Sequence, residues 1–353
     1  MFSRLLIQII LIFIPINMID GYELYTSNYR IFYLNNYLSN DKAKLVLLEI
    51  NDNTDANSTI LSQKLCILDI ETGNVGKCIS ISEKFKADII RDSVFWDSKS
   101  ENIYFILKQK SDKIYKWYID SNNITVVFEK PGLDLMSFRF STNEKQLAYI
   151  EYIKNTKKLK LHLYSFDKKK NYEIVEDSDL SNLLWITENS LYYSSRNSLF
   201  SYSSVIETKL IHEVDSKFRI TGISKVSDDL IMLHTIESIE YNNKSNSGYF
   251  EESLKLGGYN KKIWSYDLIR NKINHIISYR SFALGSSIDC NQLVFALSKE
   301  VYPADSSVLI KYDIETKMLE VKSNIQGDID MPIILSDSKI IFLQDYKSVQ
   351  IVE

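Results

Sequence analysis

Short runs of β-branched and aromatic residues recur in groups of four along this chain, and that repeat limits what it can fold into more than any other property. The clearest group is Ser93-Val94-Phe95-Trp96, Ile103-Tyr104-Phe105-Ile106-Leu107, Ile114 to Asp120 and Ile124-Thr125-Val126-Val127-Phe128. Turns of Asp, Ser, Lys and Asn separate these runs, the composition expected of strands and tight connections. The pattern returns as Phe138-Arg139-Phe140, Gln146 to Ile150, Leu159 to Phe166 and Tyr172 to Val175. It returns again as Leu183-Leu184-Trp185, Ser190 to Tyr193, Leu199 to Tyr202 and Lys209 to Ile211. The third run of a group tends to end in Asp, at Asp69, Asp120, Asp167, Asp267 and Asp313, with Ser203-Ser204 in that place once. The mean spacing is about 49 residues, within the window of repeat architectures. Four antiparallel strands per repeat select an all-β, single β-propeller.

First strands begin near Tyr29, Ser93, Ser137, Asn182, Thr221, Phe282 and Pro332, which gives seven blades, with six as the alternative count. The last group has only three strands, Ile333 to Leu335, Ile340 to Leu343 and Val349 to Val352. Tyr22-Glu23-Leu24-Tyr25 has no group of its own and is expected to supply the missing fourth strand, so that the ring closes without exposed edges. With four prolines, ten glycines and no low-complexity linker, no domain boundary is visible, and residues 22–353 read as one propeller.

Residues 1–21 carry Arg4 and then an apolar run, Leu5 to Ile16, broken only by Gln8 and Pro15. That run is shorter than the roughly 20 residues that span a bilayer and suits the core of a secretory signal peptide. A retained membrane anchor is the alternative, because Asn17 to Gly21 lacks a clean cleavage site. The expected destination is the periplasm or the extracellular space, with no membrane span after signal removal and a monomeric product. A net charge of −4 argues against the basic field that nucleic-acid binding requires, so no nucleic-acid partner is expected.

Cys66 and Cys78 lie in runs that read as a hairpin around Glu71-Thr72-Gly73, with Gly73 in the left-handed position of a three-residue loop. That register sets the two cysteines opposite each other, either as a disulfide in an oxidising compartment or as two reduced buried thiols. Cys290 is left over, and its apolar neighbours read as core.

Phe95-Trp96-Asp97-Ser98-Lys99-Ser100-Glu101-Asn102-Ile103-Tyr104-Phe105 and Phe140-Ser141-Thr142-Asn143-Glu144-Lys145-Gln146-Leu147-Ala148-Tyr149-Ile150 resemble the WD40-like repeat of TolB. The same repeat occurs in the non-catalytic propellers of the dipeptidyl-peptidase and prolyl-oligopeptidase families. Those repeats join their first two strands through a Ser-Pro-Asp-Gly turn. Here the Pro-Asp-Gly core is absent from every unit, so the resemblance implies the fold and no particular partner.

No catalytic motif accompanies the repeat. Gly222-Ile223-Ser224-Lys225-Val226 lacks the final glycine of a nucleophile elbow and reads as the start of a strand. His162, His212, His234 and His275 have no second ligand at metal-binding spacing and read as half-buried sheet residues; no metal and no other cofactor is expected. The lysines of Lys154 to Lys160 and of Lys168 to Lys170 fall on opposite faces of the disc and read as solvated turns.

Loop growth is one-sided. The connections between second and third strands, which share a face with those between blades, are long at Asn51 to Gln63, at Lys299 to Ser306 and at an insertion from about Glu237 to Lys262. Long loops on a rigid scaffold are common binding sites, and tyrosines give contact area at low entropic cost. Tyr241, Tyr249, Phe250 and Tyr259 are therefore the candidate binding residues for a protein, peptide or glycan. The competing expectation is a glycoside hydrolase that draws two or three carboxylates from different blades to the axis, about 5 to 10 Å apart.

Overall fold

The computed structural model describes residues 22–33, 37–51, 62–203, 207–237, 258–283, 285–289, 291–298, 306–336 and 338–352. Cys290, Tyr241, Tyr249, Phe250 and the long connections 52–61 and 299–305 lie outside them, as does the leader-like segment 1–21.

Seven four-stranded antiparallel sheets make up the chain, a seven-bladed β-propeller with almost no helix. Blades one to seven open with Arg30–Phe32, Phe95–Trp96, Leu135–Phe140, Leu180–Thr187, Phe218–Ser227, Ser286–Asp289 and Ile329–Ile334. These first strands form the inner ring, with those of blades three and four, four and five, and six and seven packed against each other. The seventh sheet closes as the sequence predicts. Tyr22–Thr26 pairs antiparallel with Ser348–Val352, with Tyr22 opposite Ile351 and Thr26 opposite Ser348.

Position within a blade explains each strand's composition. A second strand has a neighbouring blade on both faces, so it is apolar without alternation: Leu45, Val46, Leu47 and Leu48 are fully buried, as are Ile103, Phe105, Ile106 and Leu107. A fourth strand faces solvent and loses that character, as in Glu207–Glu213, where four of the seven residues in a row begin the strand exposed. The core is the set of apolar layers between blades. Phe95, Tyr104 and Ile106 of blade two pack with Phe138, Leu147 and Tyr149 of blade three, and Val294 and Leu309 of blade six with Ile340 and Phe342 of blade seven.

The recurrent Asp after the third strand builds the turn to the fourth. Asp69 Oδ1 accepts from the N–H and hydroxyl of Thr72, both at 2.8 Å, and Asp313 does the same with Thr316 at 2.7 and 2.8 Å. Asp267 takes the N–H groups of Ile269 and Arg270 at 3.0 and 2.8 Å. The turn after Asp69 holds Gly73 at φ +68°, where a Cβ would meet the carbonyl oxygen of Leu24 at 2.8 Å. The hairpin register sets Cys66 opposite Cys78, and a disulfide joins them.

The turns between first and second strands are built without the Pro-Asp-Gly core of the resembling repeats. Ser39 Oγ donates to Asp41 and accepts the N–H of Lys44 at 2.9 Å; Ser141 Oγ donates to Asn143 at 2.8 Å and accepts the N–H of Gln146 at 3.0 Å. The left-handed position, where the resembling repeats carry glycine, holds Lys42 at φ 58° and Glu144 at φ 57°. In blade two Asp97 replaces the serine, accepting from the N–H groups of Glu101 and Asn102 at 2.9 and 3.2 Å, and Ser100 takes φ 59°.

Candidate functional site

The inner strands end around a cleft of about 840 Å³ at the propeller axis, a size that suits a small ligand or the end of a chain. Its wall comes from the last residues of first strands, among them Phe140, Trp185, Val226, Asp289 and Ile334, and from the turns that follow them, including Asn40, Ser98 and Thr142. The cleft therefore opens on the face of the first-to-second turns. Two indole rings are fixed in it by backbone contacts from the preceding blade. Trp96 Nε1 donates to the carbonyl of Tyr37 at 2.7 Å, and Trp185 Nε1 to that of Arg139 at 3.1 Å.

The charges of the rim are mostly paired with each other. Lys42, at its left-handed turn position, reaches Asp289 of blade six at 2.5 Å. Lys225 reaches Asp228 at 2.6 Å. Lys116 lies 3.2 Å from Asp97 and 3.6 Å from Glu144 and donates to the Tyr104 hydroxyl at 2.9 Å. Tyr104 in turn donates to Glu144 at 2.7 Å, and Glu144 also accepts from the N–H of Ser98 at 3.2 Å. Burial alone would raise the Asp97 carboxyl, but hydrogen bonds from the Asn102 side chain and from the Glu101 and Asn102 backbone, with Lys116 beside it, hold it below the ordinary carboxylate range. Burial and the bond to Glu144 push the Tyr104 hydroxyl well up.

Arg139 differs from the other cations of the cleft. It stands on the inner strand of blade three, its Nη1 donating to the carbonyl of Phe138 at 2.8 Å and its guanidinium 4.8 Å from the centre of the Phe95 ring. Burial draws it down to about 10 against the pull of Asp92, so it remains a cation at neutral pH.

A second polar group lies between blades five, six and seven. His234 Nδ1 is 2.8 Å from the Ser286 hydroxyl and Nε2 is 3.3 Å from that of Ser224. Burial lowers His234 to about 4, with Lys261 adding to the effect, and burial lowers Lys261 itself to about 8 against the pull of Asp330.

The structure locates one of the four candidate aromatics. Tyr259 begins the third strand of blade five, Tyr259–Asp267, and packs edge-on against Phe282 with ring centres 5.3 Å apart. The strands that flank residues 238–257 run to Glu237 and from Tyr259, so the insertion is shorter than the sequence suggests, and its ends lie on the face opposite the cleft. The histidines are strand residues of unequal burial: His162 is buried against Glu151 at 2.9 Å, while His275 is exposed. Among the described residues no three His, Cys, Asp or Glu side chains converge as metal ligands. Among them, too, no helix is long and apolar enough to cross a membrane.

Sequence reasoning expected an axial site only in the competing hydrolase reading and named none of its residues, because the lining is spread over residues 38 to 334 in short pieces. A signal was available: side chains other than glycine at the left-handed turn position, Lys42 and Glu144, are the ones that reach other blades.

No protein-family model matches the chain, and no curated protein matches it in sequence. Solved structures are similar in fold. An oligogalacturonate lyase in complex with manganese aligns at TM-score 0.65 and 12% identity, covering 94% of this chain and 95% of that one. The propeller domain of the Trilobed protease from Pyrococcus furiosus, described as having an open velcro topology, aligns at TM-score 0.58 and 11% identity, covering 93% and 95%. TolB from Acinetobacter baumannii aligns at TM-score 0.53 and 14% identity, covering 83% of this chain and 66% of that one. At such identities the likeness is one of architecture: the chain is a β-propeller, here of seven blades, and shares that architecture with TolB and with WD40 repeats.

Proposed function

We propose that this chain is an exported, non-catalytic propeller that holds a segment of a protein or peptide partner in its axial cleft. The observation that carries the reading is the cleft itself: an apolar and aromatic pocket on a rigid ring, with its carboxylates already committed. Asp97 and Glu144 share Lys116 and accept hydrogen bonds from Asn102, Ser98 and Tyr104. A general acid needs a raised pKa, whereas Asp97 is held low. Aliphatic walls such as Leu184, Ile223 and Ile334 suit apolar side chains better than sugar hydroxyls, which ask for many polar partners. The leader-like segment and the Cys66–Cys78 disulfide both accord with an oxidising compartment outside the cytosol.

The test is capture of partners from the host's envelope and extracellular fractions on the immobilised protein, read by mass spectrometry. Thr142, exposed at the rim, is replaced by Trp to block the mouth, and a second variant lacks residues 238–257. A partner lost with Thr142→Trp and kept without the insertion supports the cleft. A partner indifferent to Thr142→Trp refutes it, and loss with the deletion alone moves the site to the opposite face. Release of an aryl alcohol from aryl glycosides, abolished by Asp97→Asn, would instead establish the hydrolase.

A further inference from the structure

We propose that Arg139 makes the cleft a receptor for the C-terminal carboxylate of a peptide ending in an apolar residue. The inference rests on the cleft reading above and adds its ligand. Three cations line the cleft, and two of them are neutralised within the protein, Lys42 by Asp289 and Lys225 by Asp228. Arg139 has no carboxylate at ion-pair distance among the described residues. It donates to one backbone carbonyl at 2.8 Å and lies over the face of Phe95 at 4.8 Å. Asp92 acts on it only through its field.

A guanidinium presents five N–H donors in a planar fork that matches a carboxylate through two parallel bonds. Placing it in a protein wall without a counter-ion is unfavourable, and an arriving anion removes that cost. The ring of Phe95 under the guanidinium and Trp185, bonded to the backbone of Arg139 itself, leave room for an apolar group beside the anion.

The experiment is calorimetric titration of the full chain with N-acetyl-Gly-Ser-Leu-Phe as the free acid, with the same peptide as its carboxamide, and with trigalacturonate. The free acid is expected to bind, and the carboxamide at least about tenfold more weakly, the loss of one charge-assisted pair. Arg139→Gln should bind acid and amide alike, at the wild-type affinity for the amide, and Arg139→Lys should restore part of the difference. Thermal melting checks that both variants fold, while the acid–amide comparison on the wild type needs no variant. Equal binding of acid and amide, an unchanged preference in Arg139→Gln, binding of trigalacturonate alone, or no binding by either peptide overturns the proposal. If captured partners remain sensitive to Thr142→Trp in that event, the carboxylate assignment fails and the cleft stands; if they do not, the cleft fails too.

Discussion

Left-handed backbone positions show how single residues carry the fold. A non-glycine residue there costs about 1–2 kcal/mol, yet Lys42, Ser100 and Glu144 occupy the turn position that the resembling repeats give to glycine. Each returns a contact between blades: Lys42 to Asp289, Ser100 to the N–H of Asn40 at 2.8 Å, and Glu144 to Tyr104. Gly73 is the opposite case, since φ +68° combines with the carbonyl of Leu24 2.8 Å from any added Cβ. Leu24 lies in the closing strand, so the glycine lets that strand approach blade one. Gly73→Ala is expected to destabilise the protein by about 2 kcal/mol, read as a lower midpoint in urea unfolding. An unchanged midpoint would mean that the closing strand can shift without loss. Before the structure, only the positive φ of Gly73 was legible, from its place in a three-residue loop; the contact with Leu24 joins residues from different blades and leaves no local mark.

At the level of strands, the sequence disclosed much, because each strand's burial is printed in its composition. The unbroken apolar second strands, the Asp that ends the third and the three-stranded remainder at residues 333–352 are all local patterns, and they pointed to seven sheets, with six as the alternative, and to the closing role of Tyr22 to Tyr25. The hairpin of blade one was readable for the same reason, down to the register that sets Cys66 opposite Cys78, while the choice between a disulfide and two thiols was left open. Their bond closes a loop of sequence separation 12, so reduction should lower stability by about 2–3 kcal/mol on the chain-entropy view. Urea unfolding with and without a thiol reductant measures this, with the Cys66→Ala, Cys78→Ala double variant insensitive to the reductant. The lining of the cleft was not readable, since no first strand contributes more than four residues to it. The one-sided growth of loops pointed to the other face, where three of the four aromatics fall outside the described residues.

Over the whole molecule, buried titratable groups tie stability to pH. His234 has its folded value lowered from 6.5 to about 4, so the unfolded chain takes up a proton in that interval before the folded one does. Stability is therefore complete above about pH 6.5 and falls as the pH drops toward 4. His234→Gln should flatten that part of the profile in melting experiments between pH 4 and 7; an identical slope would show that His234 is not its source. Asp97 acts lower, its contribution present above the ordinary carboxylate value and lost beneath it. The closure of the ring bears on the order of events in folding. Tyr22–Thr26 pairs with a strand more than three hundred residues away, so the first strand to be made is the last to find its partner. Until residues 348–352 arrive, the chain holds two unmatched edges that fit each other, in itself or in a neighbouring copy. Slow sealing and exchange of the closing strand between chains at high concentration are the hazards such a design carries.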